Sequence, residues 1–202
     1  MENISLFDIL GKIIPGGLIY FTINHCLLDE KVEMSQIVLL IVIYILGYLI
    51  ETVASIFERP ILFRLFGVNP ALQLLNGKKF LDIQIGRLDE LNSHISERFE
   101  KYKENKIKLF LIFHSIVSKK GYKRVNNFLE QYVFSRNILI SYLIGGLMFV
   151  YCHNQWQVIV LFIIFLLFFF VRCKQRNYYF AKEVINSYLY LINNEQNQTN
   201  KS

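Results

Sequence analysis

Four long apolar segments run through this 202-residue chain, and they restrict its fold more than any other feature. The fourth is the extreme case: WQVIVLFIIFLLFFFVRC, from Trp156 to Cys173, carries no charge before Arg172. A bilayer core takes roughly 20 mainly apolar residues as helix, with about 17 tolerable. The second segment, Ile37 to Phe57, meets that length and the third, Asn137 to Cys152, is shorter. The first, about Ile9 to Leu28, is the least apolar, with Lys12 near one end and Pro15-Gly16-Gly17 inside it. The chain is 53% hydrophobic with a mean hydropathy of +0.34, more apolar than a soluble domain of this size. Only 3 prolines occur, which favours helix throughout. The expected fold is all-α: a polytopic membrane protein of four transmembrane helices, with a cytoplasmic helical insert between the second and third.

Charge orients these segments. Of the 22 Lys and Arg residues, 15 fall between Arg59 and Arg136, and Arg172, Lys174, Arg176, Lys182 and Lys201 follow or close the fourth segment. The connector Asp29-Glu30-Lys31-Val32-Glu33 holds one basic residue and His153-Asn154-Gln155 holds no permanent charge. Cytoplasmic loops of membrane proteins are the ones enriched in Lys and Arg. Both termini and the central region are therefore expected in the cytoplasm, with Trp156 at the outer interface. The expected organisation is a transmembrane hairpin over 1–58 (spans about 9–28 and 37–57) and a basic insert over 59–136. A second hairpin over 137–173 (spans about 137–152 and 156–173), an amphipathic helix over 174–192 and a disordered polar tail over 193–202 follow.

The insert reads as helical. In NPALQLLNG, Asn69 is an N-cap, Pro70 takes the first helical position and Gly77 is a stop. Leu88, Leu91, Ile95, Phe99 and Tyr102 recur at spacings of three and four, one face of a single helix. IKLFLIFHSIVS is too short to span and is either buried or interfacial, with Gly121 as its breaker. From Glu58 to Arg136 there are 15 basic and 8 acidic residues, hence +7, a balance suited to anionic lipid or nucleic acid.

The polar residues inside the apolar segments are the site candidates. Glu51 interrupts VIYILGYLIETVASIF, and an ionised side chain at a span's centre costs about 2.5–3.5 kcal/mol on insertion scales. It is expected to face the bundle interior or the inner interface, paired with Arg59 or another basic residue. Gly47, four residues before it on the same helical face, lets a neighbouring helix approach. Pro15, Gly16 and Gly17 either pack a helix or free backbone carbonyls, and Gly145-Gly146 offers another small surface. Cys26, Cys152 and Cys173 lack metal-ligand spacing, so no metal and no cofactor is expected. Cys26 and Cys152 fall at the outer ends of two spans.

Two resemblances bear on function. RLDELNSH places Arg87 and His94 on one helical face, six residues between them, and this resembles the Arg–His signature of HEPN ribonucleases. Leu88 stands where that family commonly has a polar residue. The resemblance makes Arg87 and His94 the catalytic candidates of a membrane-tethered ribonuclease acting as a helical dimer. The overall layout, with its richness in Lys, Asn, Ile, Phe and Tyr, resembles small multi-pass proteins encoded beside prokaryotic antiviral systems. Among these are the membrane accessory proteins of type VI-B CRISPR loci and the membrane subunit of Kiwa-type defence. That resemblance implies a homo-oligomer in the lipid bilayer of a bacterial inner membrane, with a cytosolic nucleic-acid-targeting partner protein and a role in sensing infection or permeabilising the membrane. The expectation is a non-enzymatic membrane protein that couples a cytoplasmic signal to its spans, a pore being one form of response. Direct RNA binding by the insert, the ribonuclease, and a small transporter subunit or assembly factor stay open as alternatives.

Overall fold

The structure, a computed structural model, describes residues 6–28, 34–58 and 69–199, with side chains described for 9–28, 34–58 and 69–194. Among them are seven α-helices: α1 (Leu6–Cys26), α2 (Gln36–Phe57), α3 (Pro70–Leu75), α4 (Leu88–Arg98), α5 (Lys106–Lys119), α6 (Lys123–His153) and α7 (Trp156–Thr199). A single 3-10 turn, Glu100–Tyr102, follows α4. The fold is all-α, and the described residues hold no strand beyond one bridge between Phe80 and Ile83. Three helices, α2, α6 and α7, are long and apolar enough to cross a membrane. At 21 residues α1 has the length, but Asp8, Lys12, Asn24 and His25 lie within it and lower its apolarity.

Two compact units result, one of Met1–Leu65 with Glu130–Cys173, the other of Phe66–Leu129 with Lys174–Ser202. These units divide the chain at other places than hydropathy does. Residues 130–136 belong with the apolar helices, because Tyr132 and Arg136 are buried there. The helix after the fourth apolar segment joins the insert in one core. The segments 123–136 and 137–152 are one helix, and so are 156–173 and 174–192. α7 continues to Thr199, through most of the tail expected to be disordered. Extending an existing helix adds a hydrogen bond for each residue fixed, so a polar run can follow once the helix exists.

In the first unit α1 and α2 form an antiparallel hairpin, with Lys12 opposite Gly47 and Glu51, and Gly16 opposite Ile43 and Gly47. Ser35 caps α2 by accepting from the Val38 amide at 3.5 Å. Ile19, Ile50, Ala54 and Ile140 make the buried cluster, joined by Ile23, Leu46, Val53 and Ile144. The outward faces are apolar: Ile37, Leu40 and Ile45 on α2, and Leu161, Ile164, Phe165 and Phe168 on α7 are exposed.

In the second unit the Asn69 side chain accepts from the Ala71 amide at 2.9 Å, Pro70 opens α3, and Gly77 ends it at φ +72°. Gly121, at φ +71°, separates α5 from α6. α5 buries Leu109, Phe113 and Val117, successive turns of one face, which makes it a packed helix on that side. Its partner is α7: Phe113 stacks on Tyr188 with ring centroids 3.9 Å apart, and Phe110 and His114 meet Phe180 edge-on. That burial holds the His114 imidazole below its ordinary pKa. The stripe expected over 88–102 breaks at Phe99, which leaves helical geometry at φ −129°. Its ring turns toward His94, Phe113 and Tyr188, and that aromatic packing replaces continuation of the helix through Glu100-Lys101.

Candidate functional site

Three of the first unit's helices meet at polar groups that a lipid-facing surface would not tolerate. The site begins with Pro15. A proline inside a helix has no N–H, so the carbonyl four residues earlier loses its donor. That carbonyl is Gly11, and it accepts instead from Nδ2 of Asn137 on α6 at 3.5 Å. One turn on, Ser141 Oγ donates to the Pro15 carbonyl at 3.1 Å. Asn137 and Ser141 are both fully buried, spaced four apart on the α6 face toward α1. A neighbouring helix thus satisfies the backbone that proline exposes.

Gly16 faces the other way. A Cβ there would land on the Ile43 carbonyl oxygen and lie 2.7 Å from the Gly47 amide nitrogen. Gly47 reciprocates: a Cβ would land on the Lys12 carbonyl oxygen and lie 2.7 Å from the Lys12 Cα. Backbone therefore meets backbone, the contact that small residues allow between apolar helices. Gly17 is different, since a Cβ would sit 4.0 Å from Ile43 Cγ2, an ordinary contact. On α6, a Cβ at Gly145 would approach Thr22 Oγ1 to 2.9 Å, and one at Gly146 would overlap the Phe162 ring.

This close approach brings Lys12 to Glu51, Nζ to Oε2 at 3.8 Å, with side-chain exposures of 18% and 33%. Arg59, the partner named from sequence, lies outside the described residues. Glu51 heads a polar row on α2, with Ser55 and Glu58 following at four and three residues on one face. Arg136 on α6 reaches the row's end, Nη1 donating to Glu58 Oε2 at 2.5 Å and Nη2 to Ser55 Oγ at 3.4 Å. Tyr132 OH donates to Glu58 Oε1 at 2.8 Å, so both carboxylate oxygens are engaged. Arg136 is 7% exposed at its side chain and Glu58 24%. The row therefore ties α1, α2 and α6 together by charge, from Lys12 to Arg136.

Sequence reading singled out Glu51, Gly47, Pro15, Gly16 and Gly17, and the structure brings these to the α1–α2–α6 junction. It missed Lys12 as the partner of Glu51, and it missed Glu58, Tyr132, Arg136, Asn137 and Ser141. The recurrence of Glu51, Ser55 and Glu58 was available as a signal. Cys26 and Cys152 meet at one end of the unit as free thiols, Cys152 Sγ donating to the Cys26 carbonyl at 3.7 Å.

Arg87 and His94, in the second unit, are held differently. Arg87 is the N-cap residue of α4, exposed, with Nη1 3.8 Å from Glu90 Oε2. His94 is buried beside Leu91 and Ile95, its Nδ1 3.4 Å from Tyr188 OH and its ring edge-on to Tyr188. The two line separate cavities, Arg87 with Lys182 and His94 with Glu97. Among the described residues no cluster of His, Cys, Asp or Glu has the makings of a metal site. No known protein family matches the chain, and no curated protein or solved structure matches it.

Proposed function

We propose that this chain is a non-enzymatic, oligomeric membrane protein whose first unit crosses a bacterial inner membrane with four helices and whose basic second unit faces the cytoplasm. One observation carries the reading. α2 and α7 turn exposed Leu, Ile and Phe outward, while four charges of the first unit, Lys12, Glu51, Glu58 and Arg136, are paired with one another across α1, α2 and α6. Apolar outside and polar within is the arrangement that hydrocarbon favours, since an ionised group facing lipid has no partner. The same pairing supports α1 as a fourth span: Lys12, its obstacle, meets Glu51, and Asn137 covers the carbonyl that Pro15 frees. The 15 basic residues from Arg59 to Arg136 and the five from Arg172 onward support both termini inside.

In this account the second unit receives a cytoplasmic signal and the first unit responds, its helices held by the row from Lys12 to Arg136. The role is that of an accessory or effector of antiviral defence acting beside a nucleic-acid-targeting partner, and permeation is the response. The full chain, extracted with its lipid in polymer-bounded discs, is expected to have the mass of several copies. Reconstituted in vesicles, it is expected to pass small ions and to leave RNA intact. A single-copy particle overturns the oligomer, and RNA cleavage that is lost in His94→Ala overturns the non-enzymatic assignment.

A further inference from the structure

We propose that a cavity of about 540 Å³ in the second unit, bounded by the segment before α4 and by residues 182–190 of α7, binds a nucleotide through its phosphate and its base. Its size falls in the range of small-molecule pockets, about 300–1,000 Å³. Two cations line it, Arg87 from the start of α4 and Lys182 from α7, against one carboxylate, Asp82. A guanidinium presents a planar fork of donors that fits phosphate oxygens, and a lysine adds a compact charge beside it. Gln84 and Asn186 add side-chain amides to the same walls, and the buried Leu189 adds an apolar one.

Three further observations narrow the ligand. The Arg87–Glu90 contact is 3.8 Å long with both side chains more than half exposed, a weak pair that a doubly charged phosphate displaces. Glu183, next to Lys182, is already engaged by Arg124 at 2.9 Å. Tyr190 lines the cavity with an exposed ring, and an open aromatic face beside a phosphate-binding cation is what a base stacks on. Asp82 then serves as an acceptor for sugar hydroxyls, a use of carboxylates in nucleotide sites. A lipid headgroup would occupy Arg87 and Lys182 but would make no use of Tyr190. The neighbouring cavity, at about 330 Å³, carries Glu90 and Glu97 beside His94 and repels phosphate. The anion therefore belongs on the Arg87 side, away from the histidine. The site gives the receiving unit of the proposed function a ligand class. It rests on that reading only for its role, and binding is measured without a membrane response, so the two fail separately.

The test is calorimetric titration of the full chain in neutral phosphatidylcholine nanodiscs with adenosine monophosphate and, separately, inorganic phosphate. Arg87→Gln and Lys182→Gln are each expected to weaken both probes at least tenfold, while Lys119→Gln on α5 changes neither. Tyr190→Ala is expected to weaken the nucleotide about tenfold and leave phosphate unchanged. Asp82→Asn is expected to tighten phosphate at least twofold, a gain that no folding defect imitates. Equal nucleotide affinity in wild type, Arg87→Gln and Lys182→Gln overturns the site, as does absence of nucleotide binding at millimolar concentration. Binding to phosphatidic acid vesicles that the nucleotide does not compete away makes the occupant a lipid headgroup and overturns the nucleotide assignment.

Discussion

Replacing Gly16 and Gly17 by alanine, one at a time, should give opposite results, although the two residues are neighbours in one helix. Each substitution removes the helix penalty of glycine, about 1 kcal/mol. At Gly17 little opposes that gain, because the new methyl meets Ile43 Cγ2 at 4.0 Å. At Gly16 the methyl lands on the Ile43 carbonyl and lies 2.7 Å from the Gly47 nitrogen. Atoms of this kind pack at about 3.5–4.0 Å, and the carbonyl oxygen is the tighter obstacle, so α1 and α2 must part by roughly 1.5 Å. Backbone cannot rotate aside as a side chain can. A gap wider than about 1 Å forfeits roughly half or more of the dispersion attraction of each facing contact. It also takes the Lys12–Glu51 pair, already at 3.8 Å, beyond ion-pair range. Overpacking costs typically about 1–3 kcal/mol, and a backbone obstacle belongs at the upper end. Gly17→Ala should thus match or exceed wild type, with Gly16→Ala below it by about 2–3 kcal/mol. Unfolding in mixed micelles of increasing sodium dodecyl sulfate, followed by helical circular dichroism, measures both. Equal stability of the two variants would refute the backbone contact.

The carbonyl freed by Pro15 predicts a rescue: Asn137→Leu should cost about 1–3 kcal/mol in the same assay, and clearly less when Pro15→Ala returns the missing N–H to Gly11. An undiminished cost in the double variant would count against the Asn137 bond. For the Glu58 end of the row, Arg136→Met leaves Glu58 partly buried without its cation and should cost about 3–5 kcal/mol, whereas Arg136→Met with Glu58→Gln should cost far less. Additive effects in that cycle would exclude direct coupling. In the second unit, Leu91→Asp places a charge at a fully buried position and should abolish assembly, while His94→Ala should leave abundance and particle mass near wild type. Gel filtration of the two variants decides, and loss of assembly in His94→Ala alone would contradict the packing described for that helix.

Local signals in the sequence read through to the fold. The Asn69-Pro70 start and the stops at Gly77 and Gly121 depend on their own backbone, so no distant residue can override them. Apolar length likewise marks α2, α6 and α7 without further information. What could not be read depends on register between helices far apart in sequence. Glu51 announced its need for a cation, but Lys12 becomes its partner only once Gly16 and Gly47 set the α1–α2 register. Asn137 looks like an ordinary polar residue at a helix start until Gly11 lies opposite it. The end of α4 at Arg98 was hidden for a related reason: Phe99 fits the helical stripe in sequence, and its packing against His94, Phe113 and Tyr188 exists only in the fold. Arg87 and His94 share a spacing but not an environment, because one stands at a helix start on the surface and the other is packed in an aromatic cluster.

The proposed topology places Lys103 in the cytoplasm and Gln155, in the turn between α6 and α7, outside. Single cysteines at Gln155 and Lys103, in a chain with Cys26, Cys152 and Cys173 replaced by serine, are to be labelled on intact cells with a membrane-impermeant maleimide. Labelling at Gln155, and none at Lys103 until the cells are permeabilised, is the predicted result. Labelling of Lys103 from outside, or of both positions before permeabilisation, would contradict it.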